Sequence, residues 1–352
     1  MVKLDTKVWI VDKDVDKSIG YPQIKEAAEY LRKNEVVAFP TETVYGLGGN
    51  AMSPLAVQKI FTAKGRPGDN PLIVHIAERD QVREIVSSIP DQAISLMEEF
   101  WPGPLTLLFP KGKQVPDQVT AGLDTVAVRM PDHPVALALL KESRLPIAAP
   151  SANRSGRPSP TTAQHVWEDL HGRIAGIVDG GPTQVGVEST VLDVSAPIPT
   201  ILRPGGITIE ELRMRLGEVQ LHMSLVDEKV PPKSPGMKYT HYAPRGELWL
   251  VAGDEEQMVR TIQRLAKEAM EKGEKVGILS SDEHKEMYRG DVVISIGSRH
   301  DPTKMAANVY QALREFDHQQ VTYILSETFS PEGIGLALMN RLHKAAGGKI
   351  IK

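Results

Sequence analysis

Basic side chains in a loop rich in glycine and proline are the residues of this sequence best suited to chemistry on anions. Lys64 and Arg66 lie two positions apart in such a loop, and Asn70 follows before a short apolar run. Two cations at this spacing can converge on one phosphate chain, where arginine offers a bidentate fork. The pattern indicates a phosphate site, although a solvated charged loop is the commoner structure for a single Lys-x-Arg pair.

Two further arginines follow β-branched runs. Arg129 ends the run Thr125-Val-Ala-Val-Arg129, and Arg203 begins the segment Arg203-Pro-Gly205. An arginine at the carboxyl end of a strand suits carboxylate recognition, and Arg203 offers another phosphate contact. A surface ion pair of Arg129 with Asp132 or a neighbour is the alternative.

Hydroxyl groups are concentrated in two segments that also follow predicted strands. Pro40-Thr-Glu-Thr-Val-Tyr-Gly-Leu-Gly-Gly49 carries Thr41, Thr43 and Tyr45, and a serine- and asparagine-rich stretch spans residues 149–161. Such segments are typical ligand loops of α/β folds. A polar turn whose glycines serve the backbone conformation is an equally weighted alternative.

The familiar catalytic motifs are missing from the sequence. It has no G-x-S-x-G, no H-E-x-x-H and no Walker phosphate loop, and Gly46-x-Gly48-x-x-Ala51 is only a weak match to a dinucleotide fingerprint. The ten histidines show no metal-ligand spacing, and there is no cysteine. Basic and hydroxyl-rich loops without a nucleophile favour phosphoryl or nucleotidyl transfer, which depends on positioning and charge neutralisation.

The elements that must position these residues fall into three parts. Residues 1–212 mix short apolar strands irregularly with helices, which predicts an α/β domain with a mixed sheet. Residues 213–246 contain the proline-rich segment 230–244 and predict an extended linker. Residues 247–352 alternate strands and helices regularly, which predicts a small Rossmann-like parallel sheet.

Composition excludes several classes of protein. The 352 residues carry 41 basic and 45 acidic side chains, for a net charge of −4, which argues against a nucleic-acid coat or a polybasic membrane binder. The N-terminal residues lack the apolar core of a signal peptide, and no apolar run is long enough for a membrane span. We therefore expect a cytoplasmic protein without membrane attachment.

Taken together, the motifs resemble the threonylcarbamoyl-AMP synthase family in its two-domain form. Its YrdC-like catalytic domain matches across about residues 15–210, and a Rossmann-like C-terminal domain follows. The matching blocks stand in the family's order and are Pro40-Thr-Glu-Thr-Val-Tyr-Gly-Leu47, Lys64-Gly-Arg-Pro67, Asn70-Pro-Leu72 with His75, Trp101-Pro-Gly-Pro-Leu-Thr106, Arg129-Met-Pro131, Pro150-Ser-Ala-Asn153 with Ser155-Gly156, Glu188-Ser-Thr190, Arg203-Pro-Gly205 and the linker motif Ser234-Pro-Gly-Met-Lys-Tyr-Thr-His-Tyr-Ala-Pro244.

The resemblance implies that L-threonine, bicarbonate or CO2, and ATP give threonylcarbamoyl-AMP and pyrophosphate. The product would supply the threonylcarbamoyl group for adenosine beside the anticodon of tRNA. Separate transfer proteins would carry out that step, so tRNA would be only an indirect partner. Mg²⁺ is expected with the triphosphate, with unknown protein ligands.

The resemblance also implies roles for individual residues. Lys64 and Arg66 would bind phosphates and offset charge during catalysis. Threonine would be bound by Thr43, His75, Arg129 and Ser189. ATP would be bound by Arg66, Asn70, Thr125, Ser151, Asn153, Ser159, Arg203, Tyr239 and Tyr242. The last two belong to the linker, which would act as a lid that excludes water.

Three other functions are compatible with parts of this pattern. A YrdC-like module that binds RNA without catalysis is disfavoured by the near-neutral charge and the lack of an aromatic-interleaved basic stripe. A carbamoyltransferase is disfavoured because its relatives carry cysteine zinc modules, and this chain has no cysteine. An NAD-dependent enzyme is disfavoured because Gly253-Asp-Glu-Glu256 replaces a glycine fingerprint after the first C-terminal strand.

Overall fold

The computed structural model describes residues 4–12, 21–222 and 241–352. These residues divide into two compact units. The N-terminal unit contains most of residues 1–238. The C-terminal unit contains residues 239–352 together with two short segments, Gly156–Pro158 and Val185–Val187, that cluster with it.

The N-terminal unit is a mixed α/β structure, as predicted. Its strands are β1 (Lys7–Ile10), β2 (Val37–Phe39), β3 (Gly46–Asn50), β4 (Ile73–His75), β5 (Leu105–Pro110), β6 (Thr125–Arg129), β7 (Ile147–Ala148), β8 (Gly176–Asp179), β9 (Thr190–Asp193), β10 (Thr200–Arg203) and β11 (Gln220–Leu221). Its helices are α1 (Pro22–Arg32), α2 (Pro54–Lys64), α3 (Val82–Ile85), α4 (Asp91–Phe100), α5 (Asp117–Thr120), α6 (Pro134–Ser143), α7 (Ala163–Leu170) and α8 (Ile209–Leu216).

The strands form one twisted sheet in the order β1-β8-β2-β3-β7-β4-β6-β5-β9-β10-β11. Parallel pairs such as β4 with β6 alternate with antiparallel pairs such as β5 with β6, which confirms a mixed sheet. Helices cover it with apolar side chains at helical spacing, as in α1, where Ile24, Ala27, Ala28 and Leu31 are buried. Three hydrophobic clusters of described residues contribute to the core of this unit.

Helix α2 shows how local sequence signals position a functional residue. Its N-terminus is capped by Ser53, whose side chain accepts from the Ala56 amide, and Pro54 occupies the first helical position. Gly65 ends the helix in the left-handed conformation, with φ of 63°, which favours glycine. Lys64 is therefore the last helical residue, and Arg66 begins the loop that follows.

Strand β3 was not predicted, because its glycines were interpreted as a loop. It pairs antiparallel with β2, and Phe39 is the register partner of Gly46. A Cβ atom on Gly48 would lie 2.7 Å from the Phe39 ring and 2.8 Å from Ile147. Glycine is needed there for close packing of neighbouring strands, and a strand at this position also rules out the strand–glycine–helix turn of a dinucleotide fingerprint.

The C-terminal unit is a parallel sheet flanked by helices. Its strands are β12 (Glu247–Val251), β13 (Val276–Ser280), β14 (Val292–Ser295), β15 (Tyr323–Glu327) and β16 (Ile350–Ile351), and its helices are α9 (Glu255–Glu271), α10 (Pro302–His318) and α11 (Gly335–Ala345). The order is β14-β13-β15-β12-β16, and every pair of neighbours is parallel. The Rossmann-like prediction is confirmed.

The segment predicted as an extended linker begins with regular structure, because α8 reaches Leu216 and β11 follows at Gln220–Leu221. The capping box of Thr208 and Glu211 fixes the start of α8. Residues 223–240 lie outside the described part of the chain. Among the described residues, no helix is long and apolar enough to cross a membrane.

Candidate active site

Lys64 is enclosed by the loop that follows β7. Its ammonium nitrogen donates to the carbonyl oxygens of Ser151 (2.5 Å) and Asn153 (2.6 Å), and it lies 3.3 Å from Asn153 Oδ1. Ser151 in turn donates its hydroxyl to the same Oδ1 at 2.5 Å. Three of the predicted residues, Lys64, Ser151 and Asn153, therefore form one connected group.

The surroundings of Lys64 disfavour its charged form. Burial lowers the pKa of its ammonium group well below the usual range, and the nearby positive charge of Arg66 lowers it further. Asp169 and Glu188 act in the opposite direction. An additional anion beside Lys64 would stabilise the charged form.

Arg66 and Asn70 are joined across the loop after α2. Arg66 Nη2 donates to the Asn70 carbonyl oxygen at 3.2 Å, and its guanidinium stacks over the Phe61 ring at 5.9 Å. The Asn70 side chain is only 2% exposed, and neither amide atom has a hydrogen-bond partner among the described residues. Buried amides are rarely left in this state, so the Asn70 side chain has the capacity to recognise a ligand.

Arg129 is a buried residue rather than part of a surface ion pair. Its Nη1 donates to Thr43 Oγ1 at 2.9 Å, and its Nε donates to the Gly103 carbonyl oxygen at 3.3 Å. The ionic partner is Glu42, whose Oε1 lies 2.6 Å from Nη2. Sequence reasoning left Asp132 or a neighbour as the partner, and it assigned no role to Glu42.

His75 is the register partner of Arg129 in the parallel pair β4–β6. Its Nδ1 lies 3.2 Å from the Ile73 carbonyl oxygen. Burial, reinforced by the charges of Arg129 and Arg203, lowers the pKa of the imidazole to about 3. His75 is therefore neutral at pH 7 and has one donor and one acceptor nitrogen.

Arg203 and Ser189 are also joined by hydrogen bonds. The guanidinium donates twice to the Ser189 carbonyl oxygen, at 3.0 and 2.9 Å, and once to its Oγ at 3.0 Å. Thr106 Oγ1 lies 2.8 Å from the same Oγ. Nearby in sequence, Glu188 accepts from Ser159 Oγ at 2.6 Å. Glu188 and Thr106 stood in recognised motifs but received no role.

Thr125 and Tyr242 are two further predicted nucleotide residues. Thr125 begins β6, and the parallel register that pairs Ile73 with Ala127 places it beside the segment that follows Asn70, at the other end of the strand from Arg129. Tyr242 belongs to the C-terminal unit, with φ of 65°, and its ring packs 5.3 Å from that of Tyr310 and under the Arg341 guanidinium. Tyr239 lies outside the described residues.

The charges of these residues also act on one another. The pKa of His75 is lowered by Arg129 and Arg203, and the pKa of Lys64 is lowered by Arg66 and raised by Glu188. The buried cations of the N-terminal unit thus lie near one another, on different elements. Among the described residues, no group of three or more acidic or histidine side chains offers a metal cage. The arrangement suits anionic ligands that bring their own charge.

The chain is similar to known proteins over nearly its whole length. A family model described as "Telomere recombination", for Sua5, YciO and YrdC sequences, matches residues 29–205. A second, described as "Threonylcarbamoyl-AMP synthase, C-terminal domain", matches residues 207–347. Together they cover both compact units.

Individual relatives are also similar to this chain over most of its length. The threonylcarbamoyl-AMP synthase of Bacillus subtilis is 54% identical over 99% of this chain and 100% of its own. The synthase of Schizosaccharomyces pombe is 42% identical over 92% of this chain and 88% of its own. The crystal structure of P. abyssi Sua5 complexed with L-threonine superposes with a TM-score of 0.92 at 47% identity, covering 99% of each chain.

Proposed function

This chain belongs to the threonylcarbamoyl-AMP synthase family, and from that premise we infer that it joins L-threonine, bicarbonate or CO2, and ATP into L-threonylcarbamoyl-AMP with release of pyrophosphate. The enzyme is accordingly a nucleotidyltransferase. Its product serves the threonylcarbamoyladenosine modification of tRNA beside the anticodon.

One observation on the structure supports this inference most directly. Lys64, Arg129 and Arg203 are buried cations in a chain whose net charge is −4. Burial disfavours the charged form of such groups, and a bound anion would stabilise it in addition to Glu42, which lies beside Arg129. A triphosphate and a carboxylate supply such anions, and both are present in the substrates of this reaction.

For threonine, we propose that Arg129 binds the carboxylate, because its guanidinium is oriented by Thr43 and Gly103 and keeps N–H groups that these two contacts do not use. Neutral His75 supplies an acceptor nitrogen for a proton of the amine or hydroxyl. Thr43 and Ser189 add hydroxyl groups. The neutral amine attacks CO2 and releases a proton to water to give a carbamate, whose oxygen attacks the α-phosphorus of ATP as the bond to pyrophosphate breaks.

For ATP, Arg66 and Arg203 offset the charge of the triphosphate and the departing pyrophosphate. Lys64 contributes its charge from behind the Ser151–Asn153 loop, since all three of its N–H groups already face acceptors there. Asn70 offers its unpartnered amide. Thr125, Ser151, Asn153, Ser159, Tyr239 and Tyr242 complete the proposed nucleotide site.

A magnesium ion on the triphosphate is part of this proposal. The described residues do not fit a protein cage for it, so phosphate oxygens and water would provide its coordination. No step of the reaction is assigned to it. The downstream transfer proteins, the indirect role of tRNA and the cytoplasmic location remain predictions from the sequence.

The deciding experiment measures pyrophosphate release by the purified protein with ATP, L-threonine and bicarbonate. We expect release that depends on all three, with threonylcarbamoyl-AMP detected by mass spectrometry. Release without threonine would contradict the synthase function, and no release would contradict it and leave an RNA-binding module. Release with carbamoyl phosphate in place of threonine would point to a carbamoyltransferase. The variant Asp132→Asn, which changes an exposed acid near Arg129, should release pyrophosphate as the wild type does.

A further inference from the structure

The carboxylate of Glu42 is buried beside Arg129. The residue is 5% exposed, and neither carboxylate oxygen has a hydrogen-bond partner among the described residues. Arg129 Nη2 lies 2.6 Å from Oε1 and forms an ion pair with it. A carboxylate has about four acceptor positions, so most of the capacity of Glu42 is unused.

The turn that carries Glu42 is fixed by its neighbours. Thr41 Oγ1 accepts from the amides of Thr43 and Val44, at 3.2 Å each, and donates to the Val44 carbonyl oxygen at 2.6 Å. Such a hydroxyl-closed turn orients the side chain between its two threonines. The backbone carbonyl of Glu42 also accepts from the Gln184 amide at 3.1 Å. The direction of the carboxylate is thus a property of the fold.

Arg129 is held from the opposite side by neutral acceptors. Nε donates to Gly103 and Nη1 to Thr43, while Nη2 forms the ion pair with Glu42 and has no hydrogen-bond partner in the described part of the chain. The pair consequently presents a cation and an anion side by side in a buried place. An amino-acid zwitterion carries the complementary charges, a carboxylate and an ammonium group, both attached to its α-carbon.

We propose that Glu42 binds the α-ammonium group of L-threonine, before that group loses the proton that carbamate formation requires, while Arg129 binds the α-carboxylate. This assignment rests on the proposed function and adds a specificity-determining residue to it. The bound zwitterion and the ion pair together are neutral, which avoids an uncompensated buried charge. The three N–H groups of the ammonium match the unused acceptor positions of Glu42.

A purely structural role for Glu42 would be to hold Arg129 in place. That role needs one carboxylate oxygen at most, and it leaves the rest of a buried carboxylate unsatisfied at a substantial cost. The negative charge of Glu42 also affects two neighbours. Burial raises the pKa of Asp132, and Glu42 raises it further. Burial lowers the pKa of His133, and Glu42 opposes that lowering. Its charge therefore extends into the space around the pair.

The test compares the binding of L-threonine with that of 3-hydroxybutyrate, which is threonine without its amine. Both are measured by calorimetry or competition on the wild type, Glu42→Gln, Glu42→Asp and Asp132→Asn. We expect Glu42→Gln to weaken threonine binding on the order of 100-fold, as for a truncated buried charge pair. Binding of 3-hydroxybutyrate should be unchanged or stronger, because Arg129 then pairs with its carboxylate alone.

Equal weakening of both ligands in Glu42→Gln would overturn the proposal, because it would mean that Glu42 acts only through Arg129. Glu42→Asp keeps the charge and should retain the preference for threonine, with lower affinity. A loss of that preference in Glu42→Asp would also count against the proposal. Asp132→Asn should bind both ligands as the wild type does. Turnover is a separate readout, so a wild type that binds in this pattern without releasing pyrophosphate would refute the reaction and retain the role of Glu42.

Discussion

Lys64 is tied to Asn153 by two contacts, one from its ammonium nitrogen to the backbone carbonyl oxygen at 2.6 Å and one to the side-chain Oδ1 at 3.3 Å. The residue at the end of α2 therefore holds the loop after β7 in place. A cation that was predicted to act on phosphate is at the same time the support of two predicted nucleotide ligands, Ser151 and Asn153. Replacing Lys64 would therefore remove both a charge and a support of this loop.

Replacing Lys64 by alanine is expected to reduce kcat by at least about 100-fold, because both the charge and the loop geometry are lost. The free energy of unfolding should fall by about 2–3 kcal/mol, since buried carbonyl oxygens lose their donor. Pyrophosphate release and urea unfolding measure the two effects. Lys59→Ala on the same helix removes only a partly exposed ion pair with Glu35 and should change little. Near-normal turnover of Lys64→Ala would refute the catalytic role.

Arg129→Lys and Arg203→Lys should separate in their effects on the two substrates. Lysine keeps the positive charge but lacks the two parallel N–H groups with which a guanidinium binds a carboxylate or phosphate. In Arg129→Lys we expect KM for threonine to rise about tenfold or more, with KM for ATP nearly unchanged. In Arg203→Lys both values should rise, because Arg203 holds the backbone and hydroxyl of Ser189. An effect of Arg203→Lys on ATP alone would show that Ser189 does not depend on this contact.

Asn70→Ala is expected to raise KM for ATP without lowering stability. The side-chain amide has no hydrogen-bond partner among the described residues, so its removal should change the free energy of unfolding by less than about 1 kcal/mol. Asn50→Ala is the control, because Asn50 donates to Asn34 and accepts from the Met52 amide. That variant should lose about 1 kcal/mol of stability and keep its KM. A large stability loss in Asn70→Ala would indicate a structural amide.

His75 should make stability depend on pH in the acidic range. Its pKa is lowered to about 3 in the folded protein, against about 6.5 in the unfolded chain. The unfolded state therefore binds more protons, and the contribution of His75 is fully present above about pH 6.5 and is lost as the pH falls toward 3. Between pH 7 and pH 5 the loss should be about 2 kcal/mol.

Urea unfolding of the wild type and of His75→Gln at both pH values isolates this contribution from other titrating groups. The variant should lose about 2 kcal/mol less than the wild type over the same interval. Identical pH dependence of the two proteins would mean that the imidazole is not held neutral by burial.

The family and much of the secondary structure were predictable from the sequence, and its motifs supplied the candidate residues of the site. Strand β6 was predicted with the observed ends, Thr125 and Arg129, because an alternating β-branched run is a local signal. The C-terminal parallel sheet followed from its regular alternation of strands and helices. The resemblance rested on ordered motifs, which are also local. Signals of this kind are complete within a few consecutive residues.

The contacts between side chains of the site depend on how distant parts of the chain pack together. The contact between Arg129 and Thr43 joins positions 86 residues apart, and that between Lys64 and Asn153 joins positions 89 apart. No periodicity of the chain encodes such pairs, so Glu42 was passed over and the donors of Lys64 were expected to face phosphate. The glycines of β3 were likewise misread, because their need for glycine comes from Phe39 and Ile147 on neighbouring strands. Burial, which neutralises His75 and gives Glu42 its significance, exists only once those strands are packed together.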